Sequence, residues 1–479
     1  MIRISQLKLP ITHTKAQLEK KIAKTLKNPG NSFTYEIKKQ SLDCRHKNDK
    51  IFVYTVDVKI KDEQKIVKKV NNNNIMLTKE KQYQFPQPGE TPLIHPPVIV
   101  GSGPAGLFCG WYLAKAGYCP IILERGEEAE KRQKTVENFW KNGVLDPESN
   151  VQFGEGGAGT FSDGKLNTLV KDPYGRNHEV LKRFVAAGAP EEIIYQQKPH
   201  LGTDVLVGIV EKMRHEIEDM GGKFCFRSKV TDLIFENGAL KEVEINNSEK
   251  IPAEVCVLAL GHSARDTFEM LQKRGVYMEP KSFAVGLRIE HPQEMINMDL
   301  YGEPENELLG AASYKVTHKC ENGRGVYSFC MCPGGYVMNA ASEEKRLVVN
   351  GMSNYKRDNK YANSAILVNV TPDDFGSSHP LAGMYFQRKL EEKAFELGGS
   401  DYSIPVQRVE DYLENKERGL EADLETIKKE IEQRDYQDMH RAISPLKKAD
   451  DAIELDTSNM TLEEVVDQVL TLINKTREE

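Results

Sequence analysis

A glycine-rich turn between an apolar strand and an apolar helix constrains this chain more than any other feature. The apolar run VIV at residues 98–100 leads into Gly101, Gly103 and Gly106 in GxGxxG spacing, followed by the helical pattern LFCGWYLAKAG. A second apolar run ending at Glu124 completes a strand–helix–strand unit. In such a unit the turn places phosphate groups at the helix N-terminus. The sequence therefore predicts an α/β fold with a Rossmann-type dinucleotide-binding domain.

Each part of this unit has a separate physical role. Gly101 permits the tight turn, Gly103 lets the backbone approach a pyrophosphate, and Gly106 lets the helix pack closely on the strand. Glu124 follows the second strand, where a carboxylate accepts hydrogen bonds from a ribose diol. Three neighbours complete the cofactor-binding residues that we predict on this unit: Pro104, Ala105 and Arg125.

Two later segments favour FAD over NAD. The first, SKVTDLIFENGALKEVEIN, predicts a strand, a turn at Gly238 and a second strand, and IPAEVCVLALG after it predicts a buried strand that ends in Gly261. This order recurs in flavoproteins with two dinucleotide folds, where the backbone at the position of Val230 meets the adenine and the closing glycine lies by the pyrophosphate. The second segment, GEGGAGTFSDGKL at 154–166, is too polar for a core strand, and its amides are suited to line a cofactor.

The glycine-rich segment also carries two charged residues and an apparent phosphate-loop pattern. Lys165 is a candidate to stabilise negative charge that develops on a flavin, while a surface salt bridge with Asp163 is the alternative interpretation. The spacing from Gly159 to Lys165 resembles the start of a P-loop, but Leu166 replaces the Ser or Thr that would bind magnesium. We therefore do not predict a P-loop here.

Six segments, in order along the chain, resemble a bacterial family of FAD-dependent dehydrogenases whose physiological substrates are undefined. They are VIVGSGPAGLFCGWYLAKAG, NVQFGEGGAGTFSDGKL, ALGHSARDTFEML, KSFAVGLRIEHPQ, VYSFCMCPGGYV and NGMSNYKRDNKYANSAILV. The resemblance covers about residues 1–415 and implies a Rossmann-type FAD domain with an inserted mixed α+β substrate domain, preceded by a small α+β module. The FAD-binding positions expected beyond the first unit are Gly156, Gly157, Gly159, Thr160, Val230 and Gly261.

The chain divides by composition and pattern. The first 70 residues predict, in order, a strand, a helix, two strands and a helix. They carry 17 Lys or Arg against 7 Asp or Glu but lack an aromatic RNA-binding pattern, so we do not expect nucleic-acid binding. The predicted parts are a basic α+β module at 1–85, a proline-rich linker at 86–97, the FAD domain at 98–269, the inserted domain at 270–400 and a C-terminal segment at 401–479.

Residues just beyond Gly261 are weak candidates for catalysis. His262 is suited to relay a proton and Arg265 to anchor an anionic substrate, with Lys165 as a third candidate. Capping of the next helix by Ser263 and its neighbours is the structural alternative. In the inserted domain, the pair Cys330 and Cys332 is interpreted either as a redox pair or, more commonly for such thiols, as packing residues.

The C-terminal segment departs from the dehydrogenase pattern. The family's closing glycine-rich turn is missing, and from about residue 416 the sequence is similar to the C-terminal part of bacterial cytidylate kinases. Arg434, Asp438 and Arg441 fall on kinase positions that contact the substrate. Because no GxxxxGK[ST] loop precedes them, phosphoryl transfer is not predicted.

The function that we predict from the sequence is that of an FAD-dependent oxidoreductase with an unidentified small-molecule substrate. The chain has one GxGxxG motif that lies between an apolar strand and a helix pattern, so NAD(P)H would bind only transiently as an electron donor. The alternative is a truncated, non-catalytic flavoprotein–cytidylate kinase fusion with weak nucleotide binding.

The absence of a signal peptide, of an apolar run of about 18 residues and of a CxxC metal pattern predicts a cytoplasmic protein without a membrane or metal site. The oligomeric state stays open.

Overall fold

The computed structural model describes residues 1–27, 32–79, 82–168 and 170–417. Residues 1–405 form one compact unit, and a second unit begins at Val406. The predictions for Arg434, Asp438 and Arg441, and for the rest of the kinase-like segment beyond 417, lie outside the described residues. No helix within the described ranges is long and apolar enough to cross a membrane.

The N-terminal module is a four-stranded antiparallel sheet with two helices. Its elements are β1 (Ile2–Pro10), α1 (Lys15–Thr25), β2 (Thr34–Asp43), β3 (Ile51–Lys59), α2 (Glu63–Val70) and β4 (Ile75–Leu77). The strand order is β2-β3-β1-β4. Helix α1 begins in a capping box, in which Thr14 and Gln17 bond to each other's backbone amides. The predicted strand and helix order is confirmed, and the short strand β4 is an addition that the sequence did not indicate.

The dinucleotide-binding part combines a parallel sheet with a small antiparallel one. Its elements are β5 (Val98–Val100), α3 (Pro104–Lys115), β6 (Ile121–Leu123), α4 (Ala129–Asn142), α5 (Arg176–Ala186), α6 (Thr203–Asp219), β7 (Lys223–Cys225), β8 (Val230–Glu236), β9 (Ala239–Ile245), β10 (Glu249–Pro252), β11 (Cys256–Leu258) and α7 (Arg265–Lys273). The parallel sheet has the order β11-β5-β6-β7 and the antiparallel sheet the order β10-β9-β8. The predicted strand–helix–strand unit is therefore confirmed, with β5 and β6 pairing in parallel.

One predicted strand is wrong in detail. The run IPAEVCVLALG does not form a single buried strand that ends in Gly261, but divides into the end of β10 at Pro252 and the separate strand β11, which ends at Leu258. The Ala253 amide makes one more bond to the Lys241 carbonyl oxygen, at 2.8 Å, and the chain then crosses to the parallel sheet, where the Val98 amide donates to the Val255 carbonyl oxygen at 3.0 Å. Leu258 is 40% exposed because β11 is an edge strand.

The inserted part contains a long antiparallel sheet. Its elements are β12 (Phe283–Pro292), α8 (Gln293–Tyr301), β13 (Thr317–Lys319), β14 (Gly325–Cys332), β15 (Tyr336–Asn339), β16 (Val349–Met352), β17 (Tyr361–Val370) and α9 (Ala382–Leu397). The sheet order is β12-β17-β14-β13, and β15 pairs with β16. In the second unit, helix α10 spans Val409–Glu417.

Candidate functional site

The first and last glycines of the GxGxxG turn have no room for a side chain. Gly101 has φ +100°, and a Cβ added there would lie 2.5 Å from the carbonyl oxygen of Ala259. A Cβ on Gly106 would lie 1.9 Å from the carbonyl oxygen of Gly101. The tight turn and the close packing of α3 predicted for these two residues are therefore confirmed.

Gly103 differs, because the protein leaves space beside it. A Cβ there would meet only Gly157 Cα, at an ordinary contact distance of 3.8 Å. Pro104 and Ala105, the first residues of α3, are exposed. The N-terminus of the helix is thus accessible, with its backbone amides free of a capping side chain.

The second glycine-rich segment packs directly on this turn. The Gly156 amide donates to the Ser102 carbonyl oxygen at 3.0 Å, and a Cβ on Gly157 would lie 3.0 Å from Gly103 Cα. Residues Gly157–Phe161 then form a short 3₁₀ helix. The two segments that the sequence singled out separately therefore line one surface.

Arg132 on α4 shapes this loop, and sequence reasoning missed it. The side chain is fully buried and its guanidinium donates to the carbonyl oxygens of Asn150, Val151, Gly154, Glu155 and Gly157. Burial lowers the pKa of Arg132 to about 10, although the negative charges of Glu124 and Glu155 act to raise it. The signal was present in the sequence, since Arg132 lies on the apolar face of α4 between Ala129 and Val136.

Glu124 is buried, and both of its carboxylate oxygens already accept hydrogen bonds from the protein. Oε2 accepts from the amide and hydroxyl of Ser102, at 2.9 and 2.7 Å, and Oε1 accepts from the amides of Gly126 and Gly154, at 2.9 and 3.0 Å. Glu124 thereby ties the strand end to both glycine segments. Its predicted contact with a ribose diol stays a prediction.

Arg125 lies in a network of ion pairs beside this strand end. Its guanidinium donates to Asp266 at 2.9 Å through each of two nitrogens and to Glu148 at 2.7 Å, and it stacks 4.0 Å above the Phe153 ring. Burial opposes ionisation of Asp266, but Arg125 and Lys229 more than offset it and lower the pKa of Asp266 to about 2. A cavity of about 530 Å³ is lined by this network and by Arg265 and Glu343.

Lys165 and Asp163 pair with each other, but not on the surface. Asp163 is 1% exposed and accepts from Lys165 Nζ at 2.8 Å, from Arg357 Nε at 2.9 Å and from Ser353. Burial opposes ionisation of Asp163, but the charges of Arg357 and Lys165 lower its pKa. Asp163 therefore holds Lys165, whose side chain stays 32% exposed, in a fixed position.

The candidates beyond Gly261 are held largely by other residues. Arg265 donates bidentately to Glu391, at 2.6 and 2.7 Å, and also to Glu343. Partial desolvation and the charge of Arg265 lower the pKa of His262. The roles predicted for His262 and Arg265 in catalysis stay predictions, and the two ion pairs give Arg265 a structural role.

The predicted helix cap is wrong. The residue that caps α7 is Ala264, without a side-chain cap bond, and the Ser263 hydroxyl instead contacts the Gln152 side chain. The reason is that Gln152 also donates to the Ala340 carbonyl oxygen at 2.6 Å and so brings an acceptor next to Ser263.

The remaining predicted positions divide into open and buried ones. Gly159 and Gly261 are exposed, and a Cβ on either would meet nothing within 4 Å. Thr160 and Val230 are buried, with Val230 in the apolar cluster under β5. Gly103 and Gly159 thus have room for a side chain, whereas Gly261 has a left-handed φ of +69° that favours glycine. This arrangement fits a dinucleotide such as FAD, whose pyrophosphate needs close backbone approach.

The fold and this site define a class: a protein with a Rossmann-type dinucleotide-binding domain and an inserted domain. Three family models match, described as an FAD-dependent protein C-terminal domain-like family at residues 282–455, an NAD(P)-binding Rossmann-like domain at 99–132 and a domain of unknown function at 1–59. An uncharacterised protein of Clostridium beijerinckii is 47% identical over 418 residues, covering 87% of this chain and 78% of that protein. The chain belongs to the family of this protein. The match of residues 282–455 to the FAD-dependent family model supports FAD as its cofactor.

The similarity to cytidylate kinases is partial. The kinase of Lactobacillus johnsonii is 56% identical over 64 residues, which are 13% of this chain and 28% of the kinase. The kinase of a Geobacillus species is 35% identical over 159 residues, covering 29% of this chain and 69% of the kinase. The likeness therefore leaves more than two thirds of this chain unmatched.

Solved structures overlap only loosely with this chain. The flavin-dependent brominase Bmp2 has a TM-score of 0.31 and 13% identity, over 63% of this chain and 64% of that chain. The protein THI4 of Thermovibrio ammonificans has a TM-score of 0.26 and 21% identity, over 38% and 63%. The chain thus spans slightly less than two thirds of each of these structures.

Proposed function

We propose that this protein is an FAD-dependent oxidoreductase of the dehydrogenase type that acts on a small molecule. The observation that carries the proposal is the contact between the two glycine-rich segments, through Gly156 N and Ser102 O at 3.0 Å, beside the accessible N-terminus of α3. Helix N-termini attract phosphate through their unpaired amides and the helix dipole. This surface supports a site for the pyrophosphate of FAD.

The residues proposed to hold FAD act through the backbone and through fixed charges. Gly103 allows the close approach, while Arg132 and Glu124 hold the loop and the turn in position. Bound FAD supplies the acceptor for two electrons or a hydride. Lys165, which Asp163 fixes at 2.8 Å, is the cation proposed to stabilise negative charge beside it. NAD(P)H is the proposed transient donor.

A glycine substitution tests the proposed site without disturbing the fold. Gly103→Ala adds a methyl group that contacts only Gly157 at 3.8 Å, so stability should fall by about 1 kcal/mol or less. The same methyl group occupies the position of closest phosphate approach, so affinity for FAD should fall by about tenfold or more. Flavin content after desalting and FAD titration of the apoprotein measure the effect.

Gly208→Ala is the matched control. Gly208 is exposed inside helix α6 and a Cβ there meets nothing within 4 Å, so FAD binding should not change. Equal FAD affinity in Gly103→Ala and wild type would contradict the proposed pyrophosphate site.

The alternative function, a non-catalytic fusion with a kinase-like segment, makes a different prediction. Such a protein would purify without flavin and gain none when incubated with FAD. Near-stoichiometric FAD in the desalted protein, followed by reduction of the flavin by NADH or NADPH under anaerobic conditions, would support the oxidoreductase and exclude this alternative.

A further inference from the structure

Two cysteines lie close together at an irregular end of strand β14. Phe329 pairs with Ala365 and Cys332 with Asn363, so β14 has one residue more than β17 over this interval. Cys330 lies within this bulge, with a left-handed φ of +46°. In a regular strand, the Cα atoms of residues i and i+2 lie about 6.6 Å apart on the same face, near the upper limit for a disulfide. A bulge bends the strand and so changes this spacing.

The bulge brings the Cys332 thiol against Cys330. The Cys332 S–H donates to the carbonyl oxygen of Cys330 at 3.2 Å. Cys332 is fully buried, whereas Cys330 is partly exposed. One thiol is therefore accessible to a small reagent and the other is shielded directly behind it.

Positive charge surrounds the more exposed thiol. The neighbouring Cys332 thiol and the charges of Lys165 and Arg288 outweigh burial and lower the pKa of Cys330. The Cys330 side chain and burial raise the pKa of Cys332. Loss of a proton is therefore favoured at Cys330 over Cys332.

An unpaired buried donor belongs to the same cluster. Arg288 Nη1 donates both to the Cys330 carbonyl oxygen, at 3.2 Å, and to Asn363 Oδ1. Asn363 is fully buried, and its Nδ2 has no hydrogen-bond partner among the described residues. Because an unsatisfied buried N–H is costly, this donor favours an oxygen or anion at the cluster.

Other cysteines lack these features. Burial alone raises the pKa of Cys109, and it raises that of Cys256 to about 11. These residues behave as packing thiols, which was the alternative interpretation of Cys330 and Cys332. The bulge, the bond from the Cys332 thiol to the Cys330 carbonyl oxygen and the two cations distinguish the pair from them.

We propose that Cys330 and Cys332 form a dithiol–disulfide pair that hydrogen peroxide oxidises, with Cys330 as the attacking residue and Cys332 as the resolving residue. The Cys330 thiolate attacks one peroxide oxygen, so that an S–O bond forms, the O–O bond breaks and the released hydroxide takes up a proton to leave as water. The Cys332 sulfur then attacks the Cys330 sulfenic acid, an S–S bond forms, and the oxygen leaves as a second water with the Cys332 proton. The two sulfurs lose two electrons in total, and the peroxide gains them.

The test uses the full chain, reduced, desalted and exposed to one equivalent of hydrogen peroxide at pH 6.5. Remaining thiols are blocked with maleimide, and peptides are mapped by mass spectrometry. We expect a Cys330–Cys332 disulfide in the wild type, and a dimedone adduct at Cys330 in Cys332→Ser. Alkylation of Cys330 by iodoacetamide at pH 6.5 should be about tenfold faster than that of Cys320. Cys320→Ser is the matched control and should form the disulfide like the wild type.

The wild-type map alone decides the proposal, even if Cys332→Ser fails to fold. Peroxide-treated protein with both cysteines recovered as thiols, or with Cys330 oxidised but not linked to Cys332, would overturn it. So would alkylation of Cys330 that is no faster than that of Cys320. The reaction requires no flavin, so these outcomes are independent of FAD binding.

Discussion

The guanidinium of Arg132 donates a hydrogen bond of 2.9 Å to the carbonyl oxygen of Gly157, and so connects helix α4 to the loop that faces Gly103. Nη1 of the same group also donates to Glu155 O at 2.7 Å. The glycine loop has few side chains with which to hold itself, so one buried cation organises its carbonyl groups. The shape of the proposed cofactor surface therefore depends on a residue of a neighbouring helix.

Arg132→Met should destabilise the protein strongly. The substitution leaves five carbonyl oxygens without their donor in a buried environment, and we expect the free energy of unfolding to fall by about 3–5 kcal/mol. Urea unfolding followed by circular dichroism measures it. Lys131→Met, on the same helix with an exposed side chain, is the control and should change stability by less than about 1 kcal/mol. Equal effects of the two substitutions would contradict the role of Arg132.

Gly106→Ala should disturb the fold itself, unlike the substitution proposed at Gly103. The added methyl group would lie 1.9 Å from the Gly101 carbonyl oxygen, so α3 must move away from the turn. We expect a loss of about 3 kcal/mol in the free energy of unfolding, measured by urea titration of the apoprotein. A variant as stable as the wild type would show that α3 does not pack on the turn as described.

Glu124→Gln should lower the stability of the apoprotein, because it removes hydrogen-bond acceptors while the size of the side chain stays the same. An amide nitrogen cannot accept the bonds that one carboxylate oxygen now receives, so at least two of the four donors lose their acceptor. The expected loss is about 2–4 kcal/mol in the apoprotein. Glu130→Gln, at an exposed position of α4, should stay within about 0.5 kcal/mol of the wild type. An unchanged Glu124→Gln apoprotein would indicate that this carboxylate is free for a ligand.

The ion pair of Asp266 should make stability depend on acid pH. The pKa of Asp266 in the folded protein, about 2, lies below the ordinary value of 3.8 for an aspartate, so its stabilising contribution is present above pH 4 and is lost as the pH falls towards 2. Because the carboxylate is 38% exposed, solvent screening reduces the expected contribution to about 1 kcal/mol. Urea midpoints at pH 5 and pH 3 should therefore differ less in Asp266→Asn than in the wild type. The same pH dependence in both proteins would contradict this assignment.

Local patterns predicted much of the fold. The strand–helix–strand unit and the β8–β9 hairpin follow from apolar periodicity and from turn residues such as Gly238, at φ +77°. The division of IPAEVCVLALG between two sheets could not be predicted from periodicity, because it depends on which strands the two halves meet in the tertiary fold. Pro252 was the local sign that a strand ends nearby.

The candidate site was predictable as a set of segments but not as a set of contacts. Glycine spacing indicated both the 101–106 turn and the 154–159 loop, yet their contact depends on Arg132, which the apolar pattern of α4 hides. Likewise, the carboxylates that hold Arg265 lie at positions 343 and 391, too far along the chain for local reasoning to find them. Long-range ion pairs of this kind are decided by the tertiary fold.

The strands of the dinucleotide-binding sheet are short compared with those of the inserted sheet. Strands β5, β6 and β11 have three residues each, whereas β12 pairs with β17 over ten. A short ladder opens locally at a lower free energy than a long one, so amide protons of the cofactor-binding sheet should exchange with deuterium sooner than those of β12 and β17. Binding of the cofactor should then slow the exchange of backbone amide protons in β5 and α3, even at positions that do not contact it.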